Sequence, residues 1–334
     1  MTTRIGVNGF GRIGRGFVRT VVDDRDCEVV AVNDLASTAT LAHLLRYDST
    51  YGRFAHDVSY DDAALIVGGR RIAVTAERDP AKLDWGSQGV DIVIESTGKF
   101  RTREDAAYHL KSGARKVLIS APAKGPVDAT IVIGVNDGAY DAERHDVISN
   151  ASCTTNCVAP MVKVLEESFG LVKGFMTTIH GYTNDQMILD GPHKDLHRAR
   201  AGAVNIIPTS TGAARTTGLV IESAAGKLDG MAVRVPVEDG SLTDLAAVLA
   251  VATTPEEINA AFHDAAEGRL RGILRYCADP IVSRDVIGDS ASCIYDATLT
   301  QANGELVKIF GWYDNEYGYT CRLLDLCRLV ARQL

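Results

Sequence analysis

The feature that most limits what this chain can fold into is its first turn. Arg4-Ile-Gly-Val-Asn-Gly9-Phe-Gly11-Arg-Ile-Gly14 sets glycines at G-x-G-x-x-G spacing between an apolar run and a helical pattern. Gly9 permits a tight turn, Gly11 lets the backbone approach a pyrophosphate, and Gly14 lets a helix lie close on a strand. A helix starting there presents its first N–H groups and the positive end of its dipole to phosphates. The same glycines also serve turns that bind nothing, so the context decides. A second apolar run, Val29 to Val32, ends at Asn33-Asp34, about twenty residues past Gly14. An acid at Asp34 accepts hydrogen bonds from ribose hydroxyls and repels a 2′-phosphate, which favours NAD over NADP.

The rest of the first half supports an α/β sheet. Short β-branched runs at Ile5 to Val7, Ile92 to Ile94, Val117 to Ile119 and Ile131 to Ile133 read as buried parallel strands. Gly11 to Val22 and Leu41 to Leu45 read as helices between strands. Beyond Cys153 the connections lengthen. Extended patterns at Phe175 to His180, Met231 to Val237 and Ser241 to Val251 suit a sheet with helices on one face. Thr254-Pro255-Glu256-Glu257 has the N-cap, N1 and N3 residues of a helix start, so Leu245 to Ala252 reads as a strand feeding that helix. Helical spacing at Leu323, Leu324, Cys327, Val330, Ala331 and Leu334 closes the chain.

Composition excludes several classes. With 334 residues the chain is long enough for two domains, and a net charge of -8 argues against a general nucleic-acid surface. Seven cysteines, an odd number spread widely, give neither a disulfide framework nor a zinc-spaced set, so no metal is expected and a reducing cytoplasm is. Glycines interrupt Met1 to Gly16, which lacks the apolar core of a signal peptide. The longest purely apolar stretch, Leu245 to Ala252, is far shorter than a membrane span.

The chemistry concentrates at Ser149-Asn-Ala-Ser-Cys153-Thr-Thr-Asn-Cys157, which follows the short run Val147-Ile148 and opens a helical pattern. A thiol at a helix N-terminus has its thiolate favoured by the dipole, so a lowered Cys153 pKa is expected. Cys157, one turn deeper, reads as a structural thiol, and Pro160 should kink the helix. A free cysteine is more often a small buried hydrophobe, and this segment alone leaves both readings open.

Other segments narrow the choice. Asn8 to Arg15, Ser149 to Cys157, His180-Gly-Tyr-Thr-Asn-Asp-Gln186, Pro208 to Ala214, Arg234-Val-Pro-Val237 and Trp312-Tyr-Asp-Asn-Glu-Tyr-Gly-Tyr319 occur together in this order. In these motifs the chain resembles phosphorylating glyceraldehyde-3-phosphate dehydrogenases along essentially its whole length. The resemblance implies a Rossmann-type doubly wound NAD domain over 1–152, completed by a C-terminal helix at 318–334. It also implies an α+β catalytic domain over 153–317 with a mostly antiparallel sheet. Cys153 corresponds to the nucleophile and His180 to its ion-pair partner and general base. Thr183 and Arg234 correspond to the substrate-phosphate site. Ser152, Thr154, Thr211 and Gly212 correspond to the attacking-phosphate site, with Arg198 shared. Arg12 and Ile13 would line the pyrophosphate, Arg78 approach the adenine, and Ser96, Thr97 and Ser120 flank the adenosine and nicotinamide halves. Asn315 would hold the nicotinamide carboxamide. A cytoplasmic homotetramer acting in glycolysis on glyceraldehyde 3-phosphate and inorganic phosphate is implied, in which the loop from about Thr183 to Ala203 reaches a neighbouring subunit's cofactor pocket. Erythrose-4-phosphate dehydrogenase is the related alternative.

The chain departs from the family pattern in that loop. Gly181 stands where alanine or serine is common, Gly191 where a bulky apolar residue is common, and His197 where arginine is frequent. These changes are expected to loosen the loop and leave volume beside His180. Neutral drift is the mild reading of these changes, and a relaxed discrimination against NADP at Gly191, opposed by Asp34, is a sharper one. Poor binding of a natural electrophile aimed at Cys153, as in a resistant isoform, is another.

Overall fold

The computed structural model describes residues 2–334, which form two compact units. One comprises the segments through Ile131, Asp137–Ala151 and Thr320–Leu334; the other comprises Val132–Asn136 and Ser152–Tyr319.

In the first unit, strand Thr3–Asn8 lies inside a nine-stranded sheet between Cys27–Asn33 and Ile92–Glu95, parallel to both. From there the chain winds outward in both directions, to Arg70–Thr75 on one side and to Lys116–Ile119 and Val147–Ser149 on the other. The strand order therefore reverses beside Thr3–Asn8, which puts a crevice at the carboxyl ends of Thr3–Asn8 and Ile92–Glu95. Helix Arg12–Val21 buries Gly14, Phe17, Val18 and Val21, one face at helical spacing.

Two features differ from the sequence reading. The apolar run Ile131 to Ile133 is not a strand: pairing covers only Ala129–Thr130, and the chain then turns through Gly134 at φ +83°. The Ile131 N–H still reaches the Ser149 carbonyl at 2.9 Å, and Ile131 and Val132 are fully buried, so their apolar character reflects packing. The hairpin strands Val58–Asp61, Ala64–Val67 and Arg70–Thr75 extend the sheet edge, antiparallel among themselves, and were not anticipated. Their outer strand is mostly exposed and carries no apolar run to reveal it.

The second unit holds an eight-stranded, mostly antiparallel sheet. Its strand Ser241–Leu249 alternates buried and half-buried residues without a break, the pattern of a sheet covered on one face. Helices Cys153–Phe169 and Pro255–Glu267 supply that cover, with Val158, Met161, Leu165, Ile258 and Phe262 meeting Leu245, Ala247, Ile309 and Tyr313. Thr254 and Glu257 form the expected capping box. Helix Cys153–Phe169 is one element that includes the buried Pro160, whose ring removes the N–H that would reach the Asn156 carbonyl. The closing helix spans Tyr317–Ala331.

Candidate active site

The glycine turn of the first unit has the geometry its spacing demands. Gly9 sits at φ +94°, and a Cβ there would lie 2.8 Å from the Thr97 nitrogen. A Cβ on Gly14 would lie 2.2 Å from the Gly9 carbonyl oxygen, so helix and turn touch backbone to backbone. At Gly11 the opposite holds: no atom comes within 4 Å of a Cβ position, which leaves open space at the start of helix Arg12–Val21. Asp34 is aimed at this turn, its carboxylate accepting the Phe10 N–H at 2.8 Å and the Ala36 N–H at 3.0 Å.

The other predicted cofactor residues divide. Ser96 Oγ donates to the Gly9 carbonyl at 2.7 Å, Thr97 donates to the Glu95 carboxyl group, and Ser120 Oγ donates to the Glu95 carbonyl at 3.1 Å. All three are half-buried at the crevice. Ile13 is half-buried in the first helical turn. The Arg12 guanidinium turns to Asp48 and lies 5.8 Å from the Tyr51 ring centroid, so its side chain faces the small hairpin Tyr47–Arg53. Arg78 is exposed, following Glu77, whose N–H and carbonyl both bond the Asn33 side chain.

Beneath the turn lies a buried polar network that sequence reasoning missed. Trp85 Nε1 donates to His109 Nδ1 at 3.0 Å, which leaves His109 Nε2–H to donate to Glu95 at 3.0 Å. Asn8 Nδ2 donates to the same Glu95 oxygen at 2.6 Å, and Asn33 Nδ2 to Asn8 Oδ1 at 2.8 Å. Asn8 belongs to the glycine motif, but nothing in the sequence ties it to His109.

In the second unit Cys153 is the first residue of its helix. Ser152 caps that helix by accepting the Thr155 N–H at 2.9 Å. Just before it, Ala151 has φ +56°, which no other non-glycine described residue shares and which costs roughly 1 kcal/mol. The turn that leads into Cys153 thus carries strain. Cys153 Sγ lies 3.5 Å from His180 Nε2, the two coming from the helix start and from strand Leu171–Gly181. Tyr313 packs edge-on against the imidazole, and its hydroxyl meets Thr154 Oγ1 at 2.9 Å and Thr178 Oγ1 at 2.7 Å.

Arg234 stands on the far side of His180, with Nη1 2.5 Å from Nδ1 and 2.9 Å from the Gly181 carbonyl. His180 Nδ1 is also 2.7 Å from that carbonyl. The two contacts compete. Donation to Gly181 puts the proton on Nδ1 and leaves Nε2 as the base facing the thiol; acceptance from Arg234 would do the reverse. A base at Nε2 therefore requires the Gly181 bond.

The electrostatics correct one expectation. Burial pushes the Cys153 thiol up to about 11, with the Arg234 guanidinium and the Thr154 N–H and hydroxyl pulling the other way. Burial, then Arg234, pushes His180 down to about 3. The helix N-terminus alone does not secure a thiolate. Neither group holds a charge singly; charged together across 3.5 Å they attract, and the pair titrates as a unit. Cys153 keeps partial exposure, which offsets part of its burial penalty, while His180 is only 4% exposed.

The residues expected to bind anions are only partly assembled. Arg234 is largely buried, and its Nε has no partner among the described residues, an N–H ready for an anion. Arg198 bonds Thr209 Oγ1 at 2.8 Å and pairs with Asp185. Both arginines bear on His180 electrostatically. Thr183 gives its N–H and hydroxyl to Gln186 at 2.8 and 3.2 Å. Thr211 accepts the Ala213 N–H at 3.2 Å, and Gly212 has open space at its Cβ position. Thr154 Oγ1 meets the Tyr313 hydroxyl at 2.9 Å, and its N–H and hydroxyl also favour the Cys153 thiolate.

The volume expected beside His180 does not exist at Gly181. A Cβ there would lie 3.1 Å from the Val237 carbonyl oxygen and 3.3 Å from the Asp239 nitrogen, so backbone already fills the place a side chain would take. At Gly191 a Cβ would meet Met187 at 3.5 Å, and the Gly191 N–H is held by the Ala199 carbonyl at 2.8 Å. His197 is exposed.

Comparison with known proteins agrees with this geometry. Residues 3–103 match the family model described as the NAD binding domain of glyceraldehyde 3-phosphate dehydrogenase, and residues 152–315 match that of its C-terminal domain. A glyceraldehyde-3-phosphate dehydrogenase of Streptomyces coelicolor is 59% identical over 337 residues, covering 100% of both chains. Those of Geobacillus stearothermophilus and Bacillus subtilis are 57% and 56% identical, each covering at least 99% of both chains. Matched in both parts and along its full length, the chain belongs to the glyceraldehyde-3-phosphate dehydrogenase family.

Proposed function

We propose that the protein is a glycolytic, NAD-dependent glyceraldehyde-3-phosphate dehydrogenase that conserves the oxidation as an acyl phosphate. The observation that carries this reading is the Cys153–His180 pair at a strained helix start, walled by Arg234. The turn fits a dinucleotide: Gly11 leaves room for a pyrophosphate, and Asp34 is held where a ribose would meet it. Gly9, Gly11, Gly14, Asp34, Ser96, Thr97 and Ser120 are assigned to the cofactor in the first unit, with the backbone of Arg12 and Ile13 at the phosphates and Arg78 at the adenine edge. Asn315 is assigned to the nicotinamide carboxamide. When bound, NAD supplies the hydride acceptor.

The protein's own groups do the rest. Cys153 Sγ attacks the aldehyde carbon, and its proton passes through His180 Nε2 to the carbonyl oxygen, giving a thiohemiacetal and a neutral imidazole. His180 then takes the hydroxyl proton as the carbon is oxidised to a thioester. Phosphate oxygen attacks that thioester, the carbon–sulfur bond breaks, and Cys153 leaves as thiolate. Arg234 and Thr183 are assigned to the substrate phosphate, and Ser152, Thr211 and Gly212 to the attacking phosphate. Arg198 serves both, since two guanidinium groups near one imidazole repel each other until an anion joins them. Thr154 is assigned to the sulfur. A cytoplasmic homotetramer is proposed from the resemblance, with support from loop residues Ile188, Leu189 and Leu196, which are 90, 77 and 79% exposed. Among the described residues no helix is long and apolar enough to cross a membrane.

The test is NADH formation from glyceraldehyde 3-phosphate and NAD, run with and without inorganic phosphate. Sustained turnover only with phosphate supports the reading. Sustained turnover without it means the thioester is hydrolysed, as an erythrose-4-phosphate dehydrogenase would do, and no NADH in either run overturns the assignment.

A further inference from the structure

Asn315 is gripped at both its backbone and its side chain by one three-residue turn. Asp239 Oδ1 accepts the Asn315 N–H at 3.1 Å and the Gly240 N–H at 2.8 Å. Two residues on, Ser241 Oγ donates to Asn315 Oδ1 at 2.5 Å while accepting the Gly181 N–H at 3.2 Å. Asp239, Ser241 and Asn315 are 1, 0 and 5% exposed, so water does not compete for these bonds. The turn itself admits no other shape. Gly240 has φ +82°, and a Cβ there would lie 2.2 Å from the Ser283 carbonyl oxygen. Ladder pairing of Ser241 with Tyr313 fixes the register, so the turn faces the segment after Tyr313.

We infer that Asp239 and Ser241 are positioning residues that fix which end of the Asn315 amide meets the cofactor, and so select the nicotinamide face that receives hydride. This rests on the assignment of Asn315 to the nicotinamide carboxamide. A side-chain amide has a donor end and an acceptor end, and the Ser241 hydroxyl decides between them. Its oxygen already takes the Gly181 N–H, so its own hydrogen needs an acceptor, and Asn315 Oδ1 is that acceptor. The NH2 end is then left for the carboxamide oxygen. A half-turn of the amide would set Nδ2 against Ser241, leave the hydroxyl hydrogen without an acceptor in a buried place, and offer an oxygen to the cofactor instead. That reversed amide would favour the carboxamide turned over, which presents the opposite ring face.

The experiment uses the full-length protein with Ser241→Ala, Ser241→Thr, Asp239→Ala and Asn315→Ala. Three readouts are taken: the KM for NAD, the distribution of deuterium between the two C4 positions of the product after transfer from 1-deuterated aldehyde, and the alkylation rate of Cys153. Ser241→Ala and Asp239→Ala are expected to raise the KM for NAD about tenfold, the effect of one lost buried hydrogen bond. Deuterium should then appear in the minor position, while alkylation, which also reports an intact fold, stays within about twofold in Ser241→Ala and is not slowed in Asp239→Ala, whose carboxyl group otherwise raises the Cys153 thiol. Ser241→Thr, which keeps the hydroxyl, should restore face selectivity. Unchanged selectivity and KM in Ser241→Ala overturn the inference, as does alkylation slowed in step with turnover, which would place Ser241 with the Cys153–His180 pair. If Asn315→Ala also leaves KM and selectivity unchanged, the inference falls together with the assignment of Asn315 itself.

Discussion

Arg234 Nη1 approaches His180 Nδ1 to 2.5 Å from the side opposite Cys153, whose sulfur lies 3.5 Å from Nε2. A fixed cation thus bears on both members of the pair, in opposite senses. It favours the thiolate, pulling Cys153 down against the larger effect of burial, and it disfavours the imidazolium, adding to burial in pushing His180 to about 3. The imidazolium is therefore held by the neighbouring thiolate and not by His180 singly, so the proton is shared by the pair as a unit.

Replacing His180 by asparagine tests the pairing. The imidazolium is the charge that makes a thiolate tolerable at this buried site, so without it the midpoint of Cys153 alkylation against pH moves upward, toward the thiol's burial-dominated value of about 11. Turnover should fall by roughly 10²–10⁴, the usual contribution of a positioned base. Iodoacetamide rates across a pH series measure the first and steady-state NADH formation the second. An unmoved midpoint would mean that His180 does not share the proton.

Arg234→Gln separates the guanidinium's effects on the two groups. Losing a cation destabilises the thiolate and relieves the imidazolium, so the pKa values of both Cys153 and His180 rise. Alkylation at neutral pH slows, and its pH profile shifts to the alkaline side, the same direction as in His180→Asn. The variants differ in substrate dependence. Arg234→Gln also raises the KM for glyceraldehyde 3-phosphate by tenfold or more on the order expected for a charge-assisted phosphate contact. A normal KM would remove Arg234 from the phosphate site.

Much of this site was legible from residues alone. The glycine spacing, Asp34 and the Thr254 capping box are local rules, set by backbone sterics and hydrogen bonds within one turn, and they appear where expected. Cys153 and His180 are brought together across 27 positions, which only the resemblance supplied. What was not legible depends on burial. Glu95 and His109 are ordinary polar residues in sequence and become a closed network at 1 and 0% exposure. The rise of the Cys153 thiol and the filled space at Gly181 likewise come from backbone and side chains remote in sequence.

The His109 network should matter for stability and for the cofactor but not for the thiol. His109→Ala leaves the Trp85 N–H without its acceptor and removes a donor from Glu95, all fully buried. The orphaned Trp85 N–H costs about 1–3 kcal/mol and the emptied ring site adds a cavity, so a loss of roughly 2–5 kcal/mol is expected in urea unfolding. Because the Glu95 carboxyl group also anchors Thr97, NAD affinity should fall as well, while Cys153 alkylation stays near normal. Wild-type unfolding in His109→Ala would mean that the network is not closed as described.

Two glycines of one motif should fail in different ways. Gly14→Ala puts a methyl group 2.2 Å from the Gly9 carbonyl, so either the helix or the turn must move, at a cost of about 1–3 kcal/mol. Both Tm and NAD affinity should drop. Gly11→Ala meets no protein atom within 4 Å, and its φ of -72° suits alanine. The folded chain therefore tolerates it, with Tm unchanged or raised slightly by the stiffer unfolded chain. The new methyl group stands instead in the open space at the helix start, where a pyrophosphate would approach, so NAD affinity should fall tenfold or more on the scale of one lost close contact set. Thermal melts and NAD titrations of the two variants decide the matter. If Gly11→Ala binds NAD as the parent does, the open space beside Gly11 is not the pyrophosphate site, whatever the spacing of the glycines suggests.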